Sequence, residues 1–130
     1  MTVADTDVLI DFLTGVGPAV EIVAAELGRG SLRTTAITRF ELLSGARSPR
    51  QEAAIVQLLA SIPALPLDEV AADRAAEVRR SLDRSGAAIG MADSLIAGIV
   101  LQHGATLLTR NRRHFERVPA LQIISPQEPS

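Results

Sequence analysis

The chain contains no cysteine, lysine, tryptophan or tyrosine. Each absence removes a class of chemistry. Without Cys there is no disulfide, no thiolate zinc site and no cysteine nucleophile. All thirteen basic residues are Arg, so a mechanism that needs a lysine amine is excluded. Three Phe are the whole aromatic content, which implies an aliphatic core and little surface on which nucleic-acid bases can stack. A formal net charge of -2 gives no bulk attraction to nucleic acid or to an anionic membrane, so any basic surface must be a local patch. The opening "MTVADTD" is acidic where a secretion signal is basic and then apolar. The longest apolar run, Ser94 to Leu101, is too short to span a bilayer. The expectation is a soluble cytoplasmic protein without membrane contact.

What is present is a chain of 130 residues, enough for one domain with a sizeable core. That domain is expected over residues 1–125, followed by a loose tail at 126–130. Val3 and Ala4 read as a short buried strand, and Val8 to Leu13 open a helix. Ala19 to Leu27 is helical until "GRG"; "SLRTT" (31–35) is a second strand, followed by the helix "AITRFELLSGAR" ending near Gly45. Ser48 and Pro49 begin the next helix as N-cap and first helical residue. "PALPL" is a possible third strand that Pro66 confines to an edge or ends. "DEVAADRAAEVRRSLDR" and "MADSLIAGIVLQHG" are amphipathic helices, and "TLLT" (106–109) and "LQII" (121–124) are late strands. Strands alternating with helices predict an α/β fold, a parallel sheet covered on both faces. Such a sheet binds ligands beyond the carboxyl ends of its strands, near the switch in strand order.

Asp5 and Asp7 fall just past one strand's carboxyl end, and Asn111 just past another. Most of the fifteen acids read as solvated helix faces. Asp5, Asp7, Glu41 and Asp93 differ, because they are embedded in apolar sequence. At about 100° per residue, Glu41 and Asp93 lie at the rim of an apolar stripe. Each also has a plain structural reading. Thr38-x-x-Glu41 fits a capping box; Asp7 and Asp93 fit helix N-caps. Converging carboxylates without lysine partners would raise one another's pKa and cost stability, a cost that a hard divalent cation, magnesium or manganese, removes. "TRNRRHFER" places Arg110, Arg112 and Arg113 beside Asn111, and Arg39 lies next to Glu41. The plain reading is a solvated basic loop; the functional one is phosphate binding through Arg forks. Acids for a metal beside arginines for phosphate point to phosphodiester cleavage, the metal lowering the pKa of a water and polarising the phosphate.

These residues also resemble a known family across essentially the whole chain. "DTDVLID", "AITRFELLSGA" and "MADSLIAGIVLQHGATLLTRNRRHF" resemble, in order and spacing, the motifs of PIN domains, in particular the VapC-like toxins of bacterial toxin–antitoxin pairs. The resemblance implies a three-layer α/β/α sandwich with a short, mostly parallel twisted sheet. It implies a Mg2+- or Mn2+-dependent endoribonuclease silenced by a cognate antitoxin. Asp5, Glu41 and Asp93 match the acids that hold the metal, and Asn111 stands where members have Asp or Asn. Thr6 and Thr109 match small polar residues beside the acids. Asp7 departs from the more usual Asn or Ser, adding an acid that would favour a second cation. His103 and His114 match no catalytic residue; both read as surface residues, with a phosphate contact open to His114. Expected partners are RNA, the antitoxin and a second copy of the chain through the aliphatic helices of residues 19–27 and 51–62, with no DNA contact by this chain itself. The rival readings are a haloacid dehalogenase-like phosphatase, in which Asp5 is a nucleophile and Asp7 a general acid, a phospho-accepting receiver domain, and a catalytically dead PIN-like interaction module. The missing lysine weighs against the first two, and intact Asp5, Glu41 and Asp93 against the last.

Overall fold

The computed structural model describes residues 1–126. The strands are β1 (Thr2–Ala4), β2 (Leu32–Thr35), β3 (Ala64–Leu65), β4 (Thr106–Leu108) and β5 (Gln122–Ile124). They form one sheet in the order β3-β2-β1-β4-β5, and every pairing is parallel. The helices are α1 (Thr6–Thr14), α2 (Gly17–Arg29), α3 (Ala36–Ser44), α4 (Pro49–Leu59), α5 (Glu69–Arg84), α6 (Met91–Gln102) and α7 (Arg112–Phe115).

Strand alternation sorts these helices into two layers, because successive strand side chains point to opposite faces. Val3 and Leu107 enter a cluster with Val78 and Leu82 of α5, Ile96, Ile99 and Val100 of α6, and Phe115 of α7. Their neighbours Ala4 and Leu108 enter a second cluster with Val8 and Leu9 of α1, Val23 of α2, Leu42 of α3, and Ile55, Leu58 and Leu59 of α4. The predicted three-layer α/β/α arrangement is the observed one. The chain runs outward from central β1 through β2 to β3, then returns to the other side for β4 and β5. The switch in strand order therefore lies between β1 and β4.

Local chemistry explains most element ends. Ser48 caps α4 by accepting from the Gln51 N–H, with Pro49 in the first turn. Gly15 closes α1 at φ 77, a left-handed conformation that costs glycine no Cβ clash. Pro66 follows β3 directly, so that strand stays short at the sheet edge. Helices α5 and α6 cross closely at Gly98. A Cβ there would stand 2.6 Å from both Ala71 O and Ala75 N.

Four expectations change. Helix α1 begins at Thr6 rather than Val8, and α2 at Gly17 rather than Ala19, because the capping residues Asp5 and Val16 stand earlier than periodicity alone marks. "RRHF" is one helical turn, α7, rather than loop. The apolar side chains expected to remain on residues 19–27 and 51–62 are largely absorbed by the second cluster: Ala19, Val23, Ile55, Leu58, Leu59 and Ile62 are buried, and Val56 stays exposed. Of the expected tail, residues 127–130 lie outside the described residues. No single helix among the described residues is long and apolar enough to cross a membrane. The pair α1–α2 reaches that length only across a 104° bend, with Val8, Leu9, Ala19 and Val23 buried in the core.

Candidate active site

The carboxyl ends of β1 and β4 meet at Asp5 and Thr109. The Asp5 backbone N–H donates to Leu108 O at 2.9 Å, which continues the ladder one residue past β1. That fixes the Asp5 side chain at the switch point. It is buried, at 6 % exposure, yet both its oxygens are held. Oδ1 accepts from the Thr6 N–H at 2.8 Å, capping α1, and Oδ2 accepts from the Thr109 hydroxyl at 2.7 Å. Thr109 Oγ1 in turn accepts from the Asn111 backbone N–H at 2.9 Å. A single hydroxyl thus couples the β1 acid to the segment after β4.

Glu41 reaches the same region from α3. Its Oε1 accepts from the Thr6 hydroxyl at 2.6 Å, and Thr38 Oγ1 stands 3.1 Å from Thr6 Oγ1. The capping-box reading of Thr38 and Glu41 is not what forms. Thr35 is the N-cap of α3 and accepts from the Thr38 N–H at 3.1 Å, so Glu41 lies in the second turn of the helix and its carboxylate is free to face Thr6. Asp93 is likewise no N-cap. Gly90 holds that position, and Asp93 sits in the first turn of α6. Asp7 falls inside α1 rather than at its cap.

Electrostatics single out Asp5. Burial pushes its carboxyl up to about 7; the neighbouring Asp7 and, more weakly, Asp93 push the same way, against the Thr109 and Thr6 hydrogen bonds. Asp7 is also raised, chiefly by burial, with Arg110 opposing. Converging carboxylates held at such a cost make physical sense if a cation joins them. Among the described residues no three His, Cys, Asp or Glu side chains already stand as a closed coordination shell. Thr6 stands between Asp5 and Glu41, its N–H on the first and its hydroxyl on the second. The donor set itself, hard carboxylate oxygens in a partly buried pocket without sulfur, fits magnesium or manganese.

The segment after β4 brings residues that sequence spacing did not assign. His114 Nδ1 lies 2.8 Å from the Asn111 side-chain amide nitrogen and 3.3 Å from Asp93 Oδ2. One ring nitrogen cannot accept from an amide and donate to a carboxylate together, so His114 engages Asn111 when Nδ1 is bare and Asp93 when it is protonated. The three-residue step from Asn111 to His114 within one turn was the available signal. Arg110 also does more than line the surface. Its Nε stands 3.1 Å from Asp11 Oδ2 and 3.9 Å from Asp7 Oδ2. Asp11, buried in α1, went unassigned, because its partner is 99 positions away and nothing local announces it. Arg39 on α3 and Arg112 and Arg113 on α7 are exposed. Beside Glu41 a groove of about 470 Å³ opens between α1, α3 and α4, lined by Ile10, Leu13, Leu42, Ala54 and Ile55.

Fold and pocket define an α/β protein with a carboxylate site at the switch of a parallel sheet. The chain belongs to the PIN domain family, whose profile matches residues 2–121. It is 35% identical over 126 residues to ribonuclease VapC10 of Mycobacterium tuberculosis, spanning 97% of this chain and 92% of that protein. It is 32% identical over 100 residues to the tRNA(fMet)-specific endonuclease VapC of Shigella flexneri, 74% of this chain and 76% of that one. Among solved structures it superposes on a chain of the DNA-bound VapBC crystal structure from Salmonella typhimurium with a TM-score of 0.85 and 26% identity, covering 96% of this chain and 97% of that chain.

Proposed function

We propose that this chain is a divalent-metal-dependent endoribonuclease, the toxin of a toxin–antitoxin pair. The observation that carries the proposal is Asp5: a buried carboxylate, raised to about 7, held by two hydrogen bonds at the switch point of a PIN domain whose relatives bear ribonuclease names.

Asp5, Glu41 and Asp93 would hold Mg2+ or Mn2+, with Asn111 at the edge of the set and Thr6, Thr109 and Asp7 supporting it. When bound, the cation supplies positive charge to the phosphodiester oxygens and acidity to a water. The protein's own part is to position. Thr109 and the Thr6 N–H fix the Asp5 carboxylate, so it does not rotate out of the pocket. Thr6 fixes Glu41. His114 meets the outer side of Asp93 when its Nδ1 carries the proton and turns to Asn111 when it does not. Arg112 and Arg113 on α7, with Arg39 on α3, are assigned to the flanking phosphates, since guanidinium forks match phosphate oxygens. With so few aromatics, RNA is held by its backbone more than by base stacking.

A small antitoxin protein would cover this pocket, and the apolar groove beside Glu41 offers it a seat. A homodimer belongs to the same proposal; Phe40 at 69% exposure and Met91 at 64% supply apolar surface for it. So does a cytoplasmic location, where the RNA is.

The test is cleavage of RNA by the purified chain after chelation, then with Mg2+ or Mn2+ restored. Activity should vanish with the metal and return with it, and Asp93→Asn should not recover. Full cleavage in chelator, or wild-type cleavage by Asp93→Asn, would overturn the proposal.

A further inference from the structure

Five carboxylates gather at or beside the pocket: Asp5, Asp7, Asp11, Glu41 and Asp93. Asp7 and Asp11 are i and i+4 on α1, one above the other on the same face, where like charges repel. Asp11 is also buried, which an unpaired carboxylate resists. Arg110 answers both problems. Its Nε lies 3.1 Å from Asp11 Oδ2 and 3.9 Å from Asp7 Oδ2, and its backbone N–H donates to Asp7 Oδ1 at 3.4 Å. An arginine cannot shed its proton, so this is a permanent charge, carried on the residue that immediately precedes Asn111.

We infer that Arg110 is a resident counter-cation: it withdraws Asp7 and Asp11 from the metal-binding set and restricts the pocket to a single divalent ion. The inference rests on the metal-dependent reading above and makes Arg110 a positioning residue rather than a phosphate ligand. A second divalent ion beside Asp7 would have to displace the guanidinium and be repelled by it at short range. The extra acid at position 7, which on sequence grounds favours a second cation, is thereby occupied from within the chain. The contact also pins the segment between β4 and α7 to α1, which sets where Asn111 and His114 stand.

The experiment counts bound Mn2+ by electron paramagnetic resonance on the full chain, freed of metal and without RNA. Wild type and Arg110→Lys should take up one ion, Arg110→Met two, and Arg110→Met with Asp7→Asn one again. A count of one for Arg110→Met, or of two for wild type or for Arg110→Lys, overturns the inference and leaves the metal-dependent reading standing; a count of zero for wild type overturns both. If circular dichroism shows that Arg110→Met does not fold, Asp7→Asn alone decides. Its affinity for the first Mn2+ should stay within about threefold of wild type, and a drop of about 10- to 100-fold, the size seen when a group that orients a metal's ligands is removed, would return Asp7 to the metal-binding set and overturn the inference.

Discussion

Asp5→Asn should make the metal-free protein more stable, and the gain should depend on pH. In the folded chain the Asp5 carboxyl is raised from 3.8 to about 7, so the native state holds this proton more tightly than the unfolded state does. A raised acid contributes its full stability below the unfolded value and loses it as pH rises through the folded one. The decline therefore runs from about pH 4 to pH 7 and is complete above that. Its size is about 4 kcal/mol, from the separation of the two values at 1.36 kcal/mol each. The burial of the side chain leaves little solvent screening to discount. Asn removes this charge but keeps only one acceptor for the Thr6 N–H and the Thr109 hydroxyl, and a weakened hydrogen bond returns about 1 kcal/mol. The net gain at pH 8 is about 3 kcal/mol, roughly 10 °C in Tm for a domain of this size. At pH 4 the gain disappears, because both proteins are then neutral at position 5. The assay is urea unfolding in EDTA from pH 4 to pH 8.5, taken as the difference between variant and wild type, which leaves Asp7 in the result only through its repulsion of Asp5. A variant no more stable than wild type at pH 8, or a difference flat across this range, would refute the reasoning.

Other substitutions test other links. Gly98→Ala should destabilise the fold by about 3 kcal/mol in urea unfolding, since overpacking costs 1–3 kcal/mol and the added Cβ meets backbone of α5 at 2.6 Å; a neutral result would mean that the two helices separate freely. Ala120→Gly should stabilise by roughly 0.5 kcal/mol, because Ala120 holds φ 68 after Pro119, with the Leu121 N–H bonded to Val118 O, in the turn position that glycine favours. Arg113→Ala should weaken RNA binding and flatten its salt dependence, since a guanidinium that no longer meets a phosphate no longer releases that phosphate's counterion; binding measured at several salt concentrations in Ca2+ checks it. Thr109→Val should cut the rate while leaving RNA affinity near wild type, because that hydroxyl joins Asp5 to the Asn111 backbone without standing at the surface.

How much of this was legible in the sequence follows from the range over which each interaction acts. Short apolar runs bounded by turn residues marked β1, β2, β4 and β5, and Pro66 marked the edge strand; these are local signals. Asp5, Glu41 and Asp93 stand out as candidates because charge inside apolar sequence is locally anomalous. The helix caps were less so. Asp5 and Asp7 are both good capping residues, and only the β1–β4 ladder, which carries the backbone one residue farther, decides that Asp5 caps and Asp7 does not. Helix α7 is a single turn, shorter than any period can mark. The pairing of Arg110 with Asp11 and the approach of His114 to Asp93 join segments far apart in sequence, and tertiary folding alone brings them together. The surplus of apolar surface expected on α2 and α4 was misjudged for the same reason: α1, α2, α3 and α4 cover one another over Leu32 and Leu108 as well as covering the sheet.

The most direct test of the central claim is single-turnover RNA cleavage by the same Asp5→Asn protein used for stability, in Mn2+ and at pH 8. A carboxylate kept at a folding cost for catalysis predicts a variant that is more stable than wild type, binds RNA in Ca2+ about as well, and does not cut. Cleavage at the wild-type rate by that stabilised variant would contradict the assignment of Asp5, and with it the claim that this acid pocket is the active site.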